Sequence, residues 1–560
     1  MTSSGKVTGS HLIGRALKLE GVQNIFTLAG DHILPVLDTM HDMDFKFLDV
    51  RHEQAAVHMA DAWGRITGQP GVCMYTTPGF ANAIPGLAHA LHSESPVISI
   101  SGSAELAQLG RGAMQEIPQV EMAAPVTKGS WMVHDARRIP DYIARAVRVA
   151  FSGRRGPVHL TIPMDVQEQV VSENEVTFYL PQESRAGSPT RASPELVREA
   201  IHLLRQAQRP LILAGGPAAY ADSGEMLRRF IETTNLPLLT EDHARGLVSD
   251  EHPNCFGFFE RGLNRVARLL AEADVVILLG RKQDYTISYA RPPAIAASAR
   301  IIQVDPSAAE IGRNRGVSVG IVGDVPSVVE QLAEEAARYT WQRLPWLDRL
   351  QSQRDAQAEW LDTLAVPETP MHATYVHRTV ESLLRPDDFL VFDGGDFCHF
   401  GRALHRALYP RRWLYIPTLG MLGSSLPTAL AAKLAYPESR VVHFSGDGAF
   451  GFQAMEFDTA VRHNLPIVTV LGNDAAWGID RQIQIGLYGR PVATDLLQTR
   501  YDRVVEGLGG HGENVEHPEE LAPALERAFA SGRPALVNVV VQRAISPRAE
   551  ASIARRRAGG

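Results

Sequence analysis

RVVHFSGDGAFGFQAMEFDTAVRHNLPIVTVLGNDAAWG, residues 440–478, is the stretch that decides the fold. A β-branched run ends in Gly446, Asp447 and Gly448, a helix-period stretch follows, and Pro466 opens a second apolar run that ends at Gly472, Asn473 and Asp474. Strand, helix and strand with short connections read as one parallel βαβ unit. In an open parallel sheet, ligands sit beyond the carboxyl ends of the strands, where this segment puts its acids. Two glycines around one acid let the backbone turn sharply and approach a ligand, and the unpaired N–H groups after the turn suit phosphate oxygens. Asp447 and Asp474 offer the oxygen ligands that a hard divalent cation needs. The segment implies a diphosphate bridged by magnesium, with Gly446, Asp447 and Gly448 after one strand and Asp474 after the next.

Working outward, the same kind of run recurs in three groups. The first holds NIFTLAGD (24–31), GVCMYTTPG (71–79), PVISISGS (96–103) and PVHLTIP (157–163). PLILAGG (210–216), ADVVILLG (273–280), ARIIQVD (299–305) and VSVGIVGD (317–324) form the second. DFLVFDGGD (388–396) and PALVNVVV (534–541) join the opening segment in the third. The composition turns linker-like at PQESRAGSPTRASPE, and again where a Trp- and Arg-rich helical stretch runs into VPETPMH. The expected architecture is α/β, with three doubly wound parallel-sheet domains at 1–187, 188–362 and 363–545, followed by a basic tail at 546–560, SPRAEASIARRRAGG, read as either disordered or folded over something anionic.

The 560 residues, 45% apolar and 21% charged, suit a globular chain of several domains and exclude a mainly disordered one. A net charge of −8 gives no global field for nucleic acid or an anionic membrane, so any anionic ligand must be held locally. Cys73, Cys255 and Cys398 lie too far apart for a disulfide framework or a CxxC site, and fit a reducing, cytoplasmic setting. The polar N-terminus and the lack of a long apolar run lead to the expectation of neither export nor membrane spanning.

GDG, the helix, Pro466 and the Asn-containing strand end together resemble the signature of thiamine diphosphate (ThDP) enzymes. That resemblance implies metal ligation by Asp447, Asp474 and the carbonyl of Ala476; Asp474 stands where the family usually has Asn and adds a negative charge beside the diphosphate. It also implies a pyrimidine half-site in the first domain, centred on Glu53 after the strand FKFLDV and ahead of the helix QAAVHMADAWGRITG. A Glu carboxyl bonded to the pyrimidine ring promotes the tautomer whose exocyclic nitrogen takes the thiazolium proton. Gly30, the loop Thr77-Pro78-Gly79-Phe80-Ala81-Asn82 (through Pro78 and Asn82), the Asp396-Phe397 segment, Ala449 after GDG, and Ala476, Trp477 and Gly478 after Asp474 are the further cofactor contacts implied. Gly420-Met421-Leu422-Gly423 is similar to a turn whose apolar residue, here Leu422, bends the cofactor. Gln115 in Met114-Gln115-Glu116 is expected to face the substrate; Trp477 to Leu497 would line an acyl pocket, with Tyr488 handling a hydroxyl proton.

Within that family the motif run is most similar to the coenzyme A-using branch of 2-hydroxyacyl-CoA lyases and oxalyl-CoA decarboxylases, with an acetolactate synthase acting on free 2-oxo acids as the alternative. Met114, where a decarboxylase leads one to expect Tyr, favours the lyase. The middle domain suits ADP, FAD or no nucleotide; for ADP the expected contacts are Arg154, Gly216, Arg281, Asp305 and Asp324. Arg402, Arg406, Arg555, Arg556 and Arg557 are expected to meet CoA phosphates, the tail closing over the thioester. The expected partners are therefore small acyl-CoA and carbonyl compounds and further copies of the chain, as a dimer or a dimer of dimers.

Overall fold

A computed structural model describes residues 5–220 and 223–557. Three six-stranded sheets, each wholly parallel, carry the fold. The first runs, edge to edge, Lys46–Asp49, Asn24–Leu28, Gly71–Tyr75, Val97–Ser103, Val158–Pro163 and Ser130–Met132. In the second the order is Cys255–Phe258, Leu238–Thr240, Pro210–Ala214, Val275–Leu279, Arg300–Asp305 and Val319–Val322. The third orders Trp413–Tyr415, Phe389–Phe392, Val441–Gly446, Val468–Asn473, Ala535–Val540 and His511–Val515. Helices cover both faces, so the central strands are buried residue after residue, as in Gly71–Tyr75 and Val275–Leu279. A separate two-stranded ribbon pairs Lys6–Thr8 antiparallel with Val170–Ser172.

The strands absent from the sequence grouping are short. Ser130–Met132 and Trp413–Tyr415 are three-residue edges, Cys255–Phe258 is a four-residue edge with the buried three-residue strand Leu238–Thr240 beside it, and His511–Val515 (HGENV) is an edge whose first four residues are only half-buried. An edge strand packs on one side only, so it lacks the long apolar run that marks a central one.

Packing divides the chain into two compact units that do not follow the linear divisions read from the sequence. One gathers the chain up to Ser188 with Pro417–Glu438 and Gln453–Leu465; the other gathers Pro189–Ile416, Ser439–Phe452 and the chain from Pro466 on. The second and third sheets thus share a unit, whereas the helix Ser425–Ala435 packs on the helix Glu53–Thr67. Its apolar character is visible in the sequence, but not which helix it packs on. Among the described residues, no helix is long and apolar enough to cross a membrane.

Candidate functional site

In the first unit, Glu53 opens a helix directly after a three-residue turn from the strand Lys46–Asp49. His52 caps the helix by accepting the N–H of Gln54 at 3.2 Å. Glu53 is only 6% exposed; its Oε2 accepts a hydrogen bond from Asn82 Nδ2 at 3.0 Å. A Cβ at Gly79 would lie 2.7 Å from Oε1, so only glycine lets that backbone approach the carboxyl. The segment Thr77 to Asn82, expected as a loop, is instead the start of the helix Thr77–His92: extended Thr76 stands at the cap and Pro78 supplies a helical φ at no hydrogen-bonding cost. Gly30 is equally tight, since a Cβ there would strike the Thr76 side chain.

Residues remote in sequence hold this corner. Glu456 accepts the N–H of Arg51 with both carboxylate oxygens, at 3.1 and 3.3 Å, and the Thr459 hydroxyl at 2.6 Å. Burial pushes the Glu456 carboxyl up to about 7. Arg462 and His463 bind Asp49, the last residue of the preceding strand. Beneath Thr77 runs a buried polar chain. The Thr77 hydroxyl lies 3.0 Å from His32 Nδ1 and accepts from Gln119 Nε2 at 2.9 Å; Gln119 Oε1 accepts from Ser101, and His159 continues the chain to Ser99 and Tyr75. Burial drives His159 down to about 3, so it serves as a neutral donor and acceptor. Gln119 and His159 escaped the sequence reading because nothing in their local pattern separates them from ordinary core positions. Gln115, the residue singled out there, is exposed at a φ of +59°, and Met114 beside it is exposed too. The 420–423 turn has φ of +72° at Gly420 and +83° at Gly423; Met421 Sδ accepts from Gln54 Nε2 at 3.3 Å, which lays the Leu422 turn against the Glu53 helix.

In the second unit, Gly446 pairs in register with Gly472, so Asp447 and Asp474 emerge from the ends of adjacent parallel strands. Asp447 is 2% exposed and its Oδ2 has no hydrogen-bond partner. Burial first, then the neighbouring Asp474, raises Asp447; burial also raises Asp474. A Cβ at Gly448 would strike the Trp477 indole, and one at Gly478 the Asp474 carboxylate. Ala449 is buried in the short helix Asp447–Phe450. Gly395, at φ +97°, turns the chain into the helix Asp396–Leu404, where burial raises Asp396 to about 7 against the pull of Ser546. Phe397 is buried against Gly472. Tyr488, 72% exposed, ends the helix Gly478–Tyr488. One buried and one half-buried carboxylate, with Asp447 Oδ2 unpartnered, fit a hard divalent cation. No group of three or more His, Cys, Asp or Glu side chains among the described residues could hold a metal, so further ligands must come from backbone and bound anion.

The charged residues expected at a nucleotide have protein partners. Arg154 pairs with Glu94 at 2.6 Å, and buried Arg281 with Glu241 and Asp284 at 3.2 and 3.1 Å. Buried Asp305 accepts the N–H of Ser307, and Asp324 caps the helix Val325–Ala336 through Ser327. Gly216 starts a 3-10 turn after its strand. Of the arginines expected at CoA, Arg402 is buried with its guanidinium 3.3 Å from the Tyr415 ring centre, and Arg406 pairs with Glu251 at 3.3 Å. The tail, read as disordered or folded over an anion, forms the helix Pro547–Arg557 on the helix Gly478–Tyr488, with Ile553 against Gly486. Ser546 and Ala549 are buried, Arg548 reaches His399 at 3.2 Å, and Arg555, Arg556 and Arg557 are exposed.

Both half-sites fall inside matched family domains. Residues 7–122 match the thiamine pyrophosphate enzyme N-terminal TPP binding domain, 197–332 the central domain, and 393–539 the C-terminal TPP binding domain. The chain belongs to the thiamine pyrophosphate enzyme family. Thiamine pyrophosphate is ThDP, so Glu53 lies in the domain matched for its N-terminal half-site and Asp447 in that for its C-terminal one. Relatives in this ThDP family span nearly the whole length. The chain is 35% identical over 542 residues to acetolactate synthase large subunit IlvG of Mycobacterium tuberculosis, covering 96% of each. It is 32% identical over 560 residues to mouse 2-hydroxyacyl-CoA lyase 1, covering 96% of this chain and 95% of that one. Identity to oxalyl-CoA decarboxylase of Escherichia coli K12 is 32% over 547 residues, covering 95% and 94%.

Proposed function

We propose that this ThDP enzyme is a magnesium-dependent carbon–carbon lyase. It cleaves a 2-hydroxyacyl-CoA between its carbonyl carbon and C2, releasing an aldehyde or ketone and formyl-CoA, and condenses the two in reverse. Atoms balance: the C2 hydroxyl becomes the carbonyl of one product, and the carbonyl carbon of the thioester gains the hydrogen of the other. When bound, the cofactor would supply a nucleophilic carbon together with a cationic ring able to take up the electrons of the broken bond.

This chain's residues do the rest. With Oε2 taken by Asn82, Glu53 presents Oε1 to a pyrimidine ring. Leu422 and the Gly420–Gly423 turn would support the cofactor between its two ends, while Asp447, Asp474 and the Ala476 carbonyl would hold magnesium at its diphosphate. Gln115 and Tyr488 handle the substrate hydroxyl and its proton. Half-sites meet between protomers of a homo-oligomer, a dimer or a dimer of dimers.

The observation that carries the CoA reading is a basic cluster formed by the tail. Arg268 Nε donates to the Arg261 carbonyl at 3.0 Å, and burial lowers the Arg261 guanidinium, opposed by Glu260 and reinforced by the charges of Arg268 and Arg555. Guanidiniums gathered against their own repulsion suit a polyphosphate. Similarity to the mouse lyase points the same way. A second reading, synthesis from free 2-oxo acids, is favoured by the 35% identity to the mycobacterial acetolactate synthase.

The test supplies ThDP and Mg²⁺, offers 2-hydroxyacyl-CoAs, oxalyl-CoA and pyruvate in parallel, and identifies products by mass, with E53Q as control. Formyl-CoA and a carbonyl product are expected from the first class alone, and E53Q should bind ThDP while losing activity by about two to four orders of magnitude. Turnover of pyruvate or oxalyl-CoA in preference would overturn the assignment.

A further inference from the structure

The two carboxylates at the ends of the third sheet's adjacent strands carry a consequence specific to this chain. Asp447 and Asp474 leave strands that pair Gly446 with Gly472, and Asp447 Oδ2 is buried without a partner. The loop after Asp474 is braced. Arg543 donates to the Asp474 carbonyl at 2.8 Å and the Ala475 carbonyl at 2.9 Å, and pairs with Asp495 at 3.2 Å. Leu496 donates to the Ala475 carbonyl and Trp477 to the Thr494 carbonyl, each at 2.8 Å. The carbonyls of Asp474 and Ala475 are therefore engaged, and the loop is held in shape before any ligand arrives.

We propose that Asp474 makes this a two-carboxylate site that takes up a hard divalent cation on the protein alone, before the diphosphate binds. This rests on the ThDP reading but not on the lyase reaction. Affinity for hard cations follows the charge of the ligand set and the rigidity of the site. With an amide at 474, one carboxylate would meet a double charge, and the cation would wait for the diphosphate to supply the rest. With two carboxylates the charges already cancel, and the Arg543 brace leaves little reorganisation. The cation then relieves the repulsion between the acids and presents a positive end to the incoming diphosphate, so metal precedes cofactor.

The full-length protein, stripped of metal with EDTA and free of ThDP, is titrated with Mn²⁺, and free Mn²⁺ is read by electron paramagnetic resonance. Wild type is expected to bind about one ion per chain, and D474N at least about tenfold more weakly, with ThDP restoring uptake by D474N. Circular dichroism melts check that the variant is folded; if D474N is not, D474S replaces it with the same expectation. Mn²⁺ binding to wild type that demands ThDP, or equal affinity in wild type and variant without it, overturns the inference and leaves the ThDP reading standing. No uptake even with ThDP present overturns both.

Discussion

Glu456 grips the N–H of Arg51, two residues ahead of Glu53, from a helix some four hundred positions later in the chain. Its carboxyl is raised by burial from an ordinary 4.5 to about 7, so between those values the folded chain keeps a proton that the unfolded chain has released. The stability this contributes is complete below 4.5 and lost as pH rises through about 7. Calorimetry of wild type and E456Q at pH 5 and pH 8 should show wild type losing more stability over that interval, by at most about 3 kcal/mol; parallel losses would show that Glu456 is not the titrating group. The place of Glu53, after a strand and opening a helix, was legible, because both elements are marked in the local sequence. Glu456 was not, because an acid in a first helical turn is commonplace, and only the folded backbone shows that it accepts from Arg51.

The tail helix turns on two small details. Ala549 and Ile553, four apart, are the residues it buries, with buried Ser546 just ahead of its first residue, while Gly486 leaves room for Ile553 and its carbonyl accepts from Arg557. An apolar stripe this narrow within an arginine-rich segment does not stand out in the sequence, which is why a disordered tail remained open there. Burying a charge at that contact should release the helix. I553D is expected to expose the segment after Ser546 to limited proteolysis and to raise KM for an acyl-CoA by about tenfold, with a smaller change in kcat. A fall in kcat with KM unchanged would show that the helix does not serve acyl-CoA binding.

At the scale of the molecule, the chain is threaded back on itself. Pro417–Glu438 and Gln453–Leu465 leave the third sheet's part of the sequence and pack with the Glu53 unit, and the helix Ser425–Ala435 is buried through most of its length there. A fragment of residues 363–560 would expose that apolar helix, and is expected to be aggregated or to lack fixed tertiary structure by size-exclusion chromatography and near-ultraviolet circular dichroism. A monomeric, cooperatively melting fragment would contradict this packing. By itself the sequence determined the parallel α/β class, the central strands of the sheets and the acids at their ends, because those are written in local periodicity and in residue types that suit one chemistry. Only the tertiary structure decided which remote residues brace those acids, that Arg402 lies buried against Tyr415, that the tail is a docked helix, and which helix the apolar segment Ser425–Ala435 packs on. Such pairings join positions far apart in the chain, and a local pattern carries no information about distant partners.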